Sequence, residues 1–245
     1  MNIERRREYM FGDSLERIDL MLDGYVRDEQ CEDEIKKAKE CLSMKTGALV
    51  SGTVMIIEFY AEGDVSLIRK LKVLRAFSSE VIAMLSGNDA CEDIFTYGNI
   101  IMAVYDTPLK SKIESAVRDA AAVCSLSDVI NRKANASGYP PLKVSTGLDF
   151  GDMLMMRFCE YDGTRDAEKR QGCGEVQYIG PVTDRAEMLC HRGFEAVKPR
   201  IYVSDKVFNN LRLEYQKFFH ALDDKRTSFS SQMFNIQMNN WLCKH

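Results

Sequence analysis

Thr53-Val-Met-Ile-Ile-Glu-Phe-Tyr60 is an apolar run with one acid, Glu58, inside it. Glycine and aspartate follow the run at positions 63–64, so it predicts a buried strand that ends there. Residues 94–105 are rich in β-branched and aromatic side chains around a Tyr-Gly-Asn centre. Gly-Asn supplies the positive φ that tight turns need, so this stretch predicts a hairpin of two antiparallel strands.

The segments that follow alternate between helical and strand patterns. Apolar residues spaced mostly by three, four or seven predict helices at 65–85 and 109–134. Leu142-Lys-Val-Ser-Thr-Gly-Leu-Asp-Phe-Gly151 predicts a strand that runs into a glycine turn, with a further strand at 153–158. Val176-Gln-Tyr-Ile-Gly-Pro-Val-Thr-Asp-Arg-Ala-Glu-Met-Leu189 predicts a strand, a tight turn and the start of a helix. Two more strands are predicted near the C-terminus, at 214–220 and 232–239.

This order of elements predicts an α+β fold. Strand, helix, hairpin, helix and strand in succession give a ferredoxin-like βαββαβ core, an antiparallel sheet covered by helices. Residues 1–47 alternate acids and bases around a thin apolar stripe, which predicts an N-terminal helical extension with a second helix at 32–42. The main domain is predicted at 48–245.

The bulk composition excludes several classes of protein. A net charge of -4 over 245 residues gives no basic surface for nucleic acid, so no nucleic-acid partner is predicted. No apolar run approaches the ~18 residues of a membrane span, and no signal peptide is evident. The eight cysteines are scattered without a metal-binding or disulfide pattern. These features predict a soluble cytoplasmic protein without a membrane partner.

Four of these segments, 53–60, 94–105, 142–151 and 176–189, resemble in order and spacing the catalytic domain of class III nucleotide cyclases over residues 50–240. Val144-Ser-Thr-Gly-Leu-Asp-Phe-Gly151, and Tyr178-Ile-Gly with Arg-Ala downstream, are most similar to the bacterial antiphage pyrimidine cyclases, the Pycsar enzymes. The resemblance implies conversion of a nucleoside triphosphate, UTP or CTP in that branch, to a cyclic nucleotide and pyrophosphate. It also implies a homodimer with its sites between subunits, and a downstream effector for the product.

The resemblance assigns metal ligands at the end of the first strand and in the hairpin turn. The family has two aspartates there for two Mg²⁺ or Mn²⁺ ions; this chain has Glu58 and Asn99, with the backbone carbonyl of Phe59 as a further ligand. An amide brings no charge, so the resemblance implies a weakened site. As alternatives, Glu58 is an edge residue facing water and Gly-Asn is an ordinary hairpin turn.

Two further positions correspond to the residues with which the family recognises a purine base. They hold Phe95 and Gln177 in place of a lysine and an aspartate. An aromatic ring and an amide cannot form the usual donor and acceptor pair for adenine or guanine, but they could stack on and hydrogen-bond another base. The alternative is that Phe95 is a core aromatic.

The family's ribose-orienting asparagine and its transition-state arginine correspond to Asp184 and Met188, one helical turn apart. Methionine cannot donate to a phosphate, and loss of that cation removes several kcal/mol of electrostatic stabilisation. Arg185 and Arg192 are candidate substitutes; the alternative is that both make surface contacts.

The family's last phosphate-binding lysine lies in the final hairpin. Lys225 or Arg226 corresponds to it loosely. His191 and His220 have no nucleophile at motif spacing, so a structural role is predicted for both.

Three functions remain open from the sequence. The first is an active nucleotide cyclase. The second is a catalytically inactive cyclase-fold protein that binds a nucleotide or a protein, which the loss of aspartate at Asn99 and of arginine at Met188 favours. The third is a ferredoxin-like domain unrelated to cyclases.

Overall fold

One sheet of nine strands forms the centre of the described part of the chain. The computed structural model describes residues 25–27, 35–43, 46–158, 175–195 and 200–245, together with Leu15, Ile18, Asp19 and Leu22. The elements in chain order are β1 Tyr25–Arg27, α1 Ile35–Glu40, β2 Thr46–Ala61, α2 Leu67–Ser86, β3 Cys91–Tyr97, β4 Ile100–Tyr105, α3 Lys110–Ala136, β5 Leu142–Phe158, β6 Glu175–Ile179, α4 Pro181–Glu195, β7 Ile201–Ser204, α5 Asp205–Asn210, α6 Leu213–Gln216, β8 Phe219–Ala221, β9 Ser228–Ser231 and α7 Ile236–Leu242. None of the described helices has both the length and the apolar content to cross a bilayer.

The predicted α+β fold with a ferredoxin-like core is confirmed. The strands follow the order β3-β4-β2-β5-β7-β9-β8, with β1 paired to β2 and β6 paired to β5. The units β2-α2-β3-β4-α3-β5 make the βαββαβ core, in which β2 pairs antiparallel with both β4 and β5. The hairpin turn between β3 and β4 has Gly98 at φ 59°, as its Gly-Asn sequence predicted.

Helices cover both faces of the sheet. Met55, Ile57 and Phe59 of β2 belong to a core cluster with residues of α2 and α3. Val54 and Ile56 belong to a second cluster, on the other face, with residues of α1 and α4. Because side chains alternate along a strand, Glu58 lies on the face that carries α4.

The predicted glycine turn at Gly151 is wrong. β5 runs without a break through 17 residues, and Gly151 pairs with Gly52 of β2 inside the ladder. Gly147 of this strand allows close packing: a Cβ atom there would overlap the carbonyl oxygen of Ala186 and the backbone nitrogen of Cys190. Glycine inside a strand marks such an approach of another backbone.

The predicted strand at 232–239 is also wrong. β9 ends at Ser231, and the segment from Ile236 is the helix α7. The side chain of Asn235 accepts a hydrogen bond from the backbone nitrogen of Met238 at 3.1 Å, which is the N-cap interaction that starts a helix. Within the predicted strand 214–220, α6 comes first and only β8 is extended.

The N-terminal elements pack on the same sheet. Ile35, Ala38 and Leu42 are buried in the second cluster, and β1 pairs parallel with the start of β2. Of the first predicted helix only Leu15, Ile18, Asp19 and Leu22 are described, and all four are exposed. The division of the chain at residue 47 stays a prediction. The polar, glycine-containing sequence of residues 160–174 predicts a loop, and this stretch lies outside the described residues.

Candidate active site

Glu58 lies near the end of β2, between two neighbouring strands. It pairs with Ile100 of β4 on one side and with Ser145 of β5 on the other. Its side chain is only 23% exposed, so the carboxylate lies in a partly desolvated position on the α4 face. A carboxylate in that setting needs a cation or a hydrogen-bond donor beside it to offset its lost hydration.

The hairpin turn of Asn99 is attached to the same end of β2. The backbone nitrogen of Phe59 donates to the carbonyl oxygen of Asn99 at 3.0 Å, and Asn99 itself is exposed. The Phe59 ring points into the other core, 5.0 Å from the ring of Phe77. The fold therefore brings the backbone of the three positions for which metal ligands were predicted close together, at the C-terminal end of β2.

His191 is a neighbour of Glu58 that the sequence did not reveal. Its Nδ1 atom lies 3.5 Å from Oε2 of Glu58, and its side chain is 71% exposed. A side chain so exposed does not pack as the predicted structural histidine would. One indication of this position was present in the sequence, because His191 lies seven residues after Asp184, which is two turns along the same helix face.

Hydrogen bonds hold the C-terminal half of α4 over Glu58. Ser145 Oγ donates to the carbonyl oxygen of Cys190 at 2.6 Å, and Cys190 Sγ donates to the carbonyl oxygen of Ser145 at 3.2 Å. Lys143 Nζ donates to the carbonyl oxygen of Phe194 at 2.9 Å. Burial raises the pKa of the Cys190 thiol to about 12, so this thiol stays protonated at neutral pH. These contacts fix the backbone beneath His191.

Asp184 and Met188 lie on the exposed side of α4. Asp184 is exposed and Met188 is 50% exposed, whereas Val182, Ala186 and Leu189 are buried beneath them. Residues spaced by three or four share a helix face, so Asp184, Met188 and His191 form one exposed stripe. The stripe runs along the helix toward Glu58.

The two arginines of α4 have other partners, in agreement with the surface-contact alternative. Arg185 Nη2 donates to Asp205 Oδ1 at 2.7 Å and to the carbonyl oxygen of Thr227 at 2.8 Å. Arg192 Nη1 donates to Ser228 Oγ at 3.2 Å. Both arginines are thus engaged by the segment 205–228.

Lys225 and Arg226 lie in the exposed loop between β8 and β9, which these arginines contact. Asp223 accepts hydrogen bonds from the backbone nitrogen of Thr227 and from the hydroxyls of Thr227 and Ser228. The backbone bond from Thr227 is the main cause that lowers the pKa of Asp223 to about 2. The charged carboxylate thus fixes the conformation of this loop over the whole neutral range.

The structure does not bring Phe95 and Gln177 onto one face. The ring of Phe95 lies 6.0 Å from the ring of Tyr178, edge to face. Val176 and Tyr178 pack into the second cluster, so Gln177 points to the opposite side of β6.

A hydrogen-bonded group ties β6 to β3 beside Phe95. Tyr178 OH donates to Asp93 Oδ2 at 2.5 Å, and Lys39 Nζ of α1 lies 2.6 Å from the same oxygen. Burial, with the charge of Asp93, raises the pKa of Tyr178 and keeps its hydroxyl a donor. No local pattern in the sequence indicated this connection, because its members are separated by more than fifty residues along the chain.

The donor set at Glu58 fits a divalent cation. Carboxylate, amide and backbone carbonyl oxygens are the ligands of hard ions such as Mg²⁺ and Mn²⁺. In such a site Glu58 would contribute the carboxylate, Asn99 an amide and Phe59 a carbonyl. Within the described residues, no three side chains of His, Cys, Asp or Glu type form a group that could hold a metal ion.

Comparisons with known proteins agree with this architecture. No family model matches the sequence. The chain is similar to a uridylate cyclase of Gulbenkiania mobilis, at 22% identity over 262 residues that cover 96% of both proteins. A uridylate cyclase of Treponema porcinum is 20% identical over 176 residues, which cover 71% of this chain and 59% of that protein.

Solved structures share the fold at lower identity. A class III adenylyl cyclase-like ATP-binding protein from Pseudomonas aeruginosa superposes with a TM-score of 0.64 at 12% identity, over 94% of this chain and 48% of that one. The guanylyl cyclase Cya2 superposes with a TM-score of 0.54 at 13% identity, over 73% of this chain and 90% of that one. The chain therefore has the fold of the class III nucleotide cyclases, as its four sequence segments predicted, and its sequence relatives are proteins named uridylate cyclase.

Proposed function

We propose that the protein converts UTP or CTP to the 3′,5′-cyclic nucleotide and pyrophosphate. The ribose 3′-oxygen attacks the α-phosphorus, the bond from that phosphorus to the bridging oxygen breaks, and pyrophosphate leaves with the electron pair. The observation that carries the proposal is the pairing of Glu58 with Ile100, which puts a carboxylate beside the Asn99 turn within a cyclase fold. The similarity to uridylate cyclases along the whole chain supports a pyrimidine substrate.

Glu58, Asn99 and the Phe59 carbonyl would hold the divalent cations, two by resemblance. When bound, such ions neutralise the triphosphate and favour ionisation of the attacking hydroxyl. The fold holds these residues in place: Glu58 lies between β4 and β5, and the carbonyl of Asn99 accepts a hydrogen bond from the backbone nitrogen of Phe59. Replacing aspartate by Asn99 leaves the site one negative charge short, so we expect weak binding of cations.

Base, ribose and phosphates would be bound from several elements. Phe95 would stack on the base and Gln177 would hydrogen-bond its edge. Asp184 would orient the ribose, Met188 would lie near the reacting phosphate, and Lys225 would contact the phosphates. Because Phe95 and Gln177 lie on different faces of their strands, a second subunit is the simplest way to bring both to one nucleotide, which supports a homodimer.

The cyclic product would be a second messenger in antiphage signalling. This part of the proposal rests on the resemblance to the Pycsar enzymes, and it includes an effector protein that binds the product. It is tested separately, by asking whether phage infection of cells that contain the protein raises the concentration of cyclic UMP or cyclic CMP.

The activity is tested by incubating the purified protein with UTP, CTP, ATP or GTP in the presence of Mn²⁺. We expect chromatography to show cyclic UMP or cyclic CMP, with one pyrophosphate for each cyclic nucleotide. Light scattering on the same sample should give the mass of a dimer. A cyclic purine nucleotide alone would refute the pyrimidine assignment, and no cyclic product from any triphosphate would refute the enzyme.

A catalytically inactive nucleotide-binding protein is the second candidate. Asn99 in place of an acid and Met188 in place of a cation favour it, and one structure with this fold is named an ATP-binding protein. This function predicts that a triphosphate with Mn²⁺ raises the melting temperature while no product forms.

Met188→Arg should increase the rate of cyclisation. Met188 is half exposed on the stripe of α4, so a longer side chain fits there without repacking the core. A cation directed at developing phosphate charge is worth several kcal/mol in such reactions, so we expect at least a ~10-fold higher kcat. Met188→Leu adds no charge and should leave kcat unchanged. Equal rates for the two variants would mean that this position does not face the reacting phosphate.

A further inference from the structure

The contact between His191 and Glu58 has the spacing of two ligands of one ion. Their atoms Nδ1 and Oε2 are 3.5 Å apart. Two donor atoms that each bind a metal at about 2.1 Å, at angles between octahedral and tetrahedral, lie about 3.0–3.4 Å from each other. A small rotation of the exposed imidazole brings the pair to that separation.

The scaffold beneath His191 is rigid. Ser145 and Cys190 exchange two hydrogen bonds between β5 and α4, and Lys143 bonds the carbonyl of Phe194. A Cβ atom on Gly193 would overlap the side chain of Ser145, so helix and strand are in direct contact there. The backbone on either side of His191 is fixed, and only the side-chain torsions remain free to adjust.

We propose that His191 is a nitrogen ligand of the divalent cation that Glu58 binds, and that it gives the site a preference for Mn²⁺ over Mg²⁺. The proposal deepens the proposed function, since it concerns the same cation site. Mg²⁺ is served by carboxylate, carbonyl and water oxygens, whereas first-row transition-metal ions also accept imidazole nitrogen. The imidazole would supply a donor where Asn99 has removed a charge.

The test measures metal binding, without turnover. Mn²⁺ is titrated into the wild type, His191→Ala and His220→Ala, and free Mn²⁺ is followed by electron paramagnetic resonance. His191→Ala should weaken Mn²⁺ binding at least about tenfold. Mg²⁺ should also displace Mn²⁺ from His191→Ala at a lower concentration than from the wild type. His220→Ala is the matched control, because this exposed histidine lies on β8 outside the site.

A spectroscopic readout separates ligation from a structural effect. Electron spin echo modulation of bound Mn²⁺ should show coupling to a ¹⁴N nucleus in the wild type and in His220→Ala, but not in His191→Ala. Unchanged Mn²⁺ affinity in His191→Ala, or no ¹⁴N coupling in the wild type, would overturn the proposal, as would a wild type that binds no Mn²⁺. Because binding is measured without substrate, the ligand assignment stands even if no cyclic product forms, and it fails independently if product forms but His191→Ala binds Mn²⁺ normally.

Discussion

Glu58→Ala is expected to lower the rate of cyclic nucleotide formation at least about 100-fold, because metal ions contribute several kcal/mol to such transition states. The carboxylate is the acidic member of the proposed donor set at the Asn99 turn, and it is mostly shielded from water. Its removal leaves an amide, a carbonyl and an imidazole, which carry no negative charge between them. The measurement is product formed from UTP and CTP over a range of Mn²⁺ concentrations.

Two further variants test whether the negative charge at position 58 itself is required. Glu62→Ala removes an exposed acid just beyond the end of β2 and should leave the rate unchanged. Glu58→Asp keeps the charge, shortens the side chain to the length found in the family, and should retain activity. If Glu58→Ala cyclises the triphosphate as fast as Glu62→Ala, the cation is not bound at this end of β2.

The ferredoxin-like core could be predicted because its signals are local. The apolar run that became β2 and the Gly-Asn turn between β3 and β4 each determine their own conformation, through burial pattern and backbone torsion. The glycines inside β5 gave no comparable local signal for their conformation. Gly147 lies against the backbone of α4 and Gly151 pairs with Gly52 of β2, and only the tertiary structure specifies these contacts.

The site could be predicted from the sequence only along its strands. Glu58 and Asn99 are close because strand pairing follows from the order of elements. His191 depends on how α4 is docked on β5, and the bonds of Ser145 with Cys190 that decide this docking join residues 45 positions apart. The same holds for Tyr178, whose partner Asp93 lies on a strand with which β6 does not pair.

Gly147→Ala should therefore destabilise the protein and disturb the site together. The added Cβ atom would overlap two backbone atoms of α4, at Ala186 and Cys190, and backbone cannot rotate out of the way as a side chain can. Overpacking in a core typically costs 1–3 kcal/mol, and we expect about 3 kcal/mol here because the helix must lift from the strand. For a domain of this size that corresponds to a melting temperature lower by about 6–12 °C in calorimetry.

Gly87→Ala is the matched control. Gly87 follows α2 with φ −82°, and the nearest atom to a new Cβ would be 3.4 Å away, so its melting temperature should change little. Gly147→Ala that remains folded should also bind Mn²⁺ more weakly, since lifting α4 separates His191 from Glu58. Equal melting temperatures for the two variants would show that β5 and α4 are not in backbone contact. A loss of stability with unchanged Mn²⁺ affinity would show instead that the cation site does not depend on the helix, and would place all of its ligands on the strands.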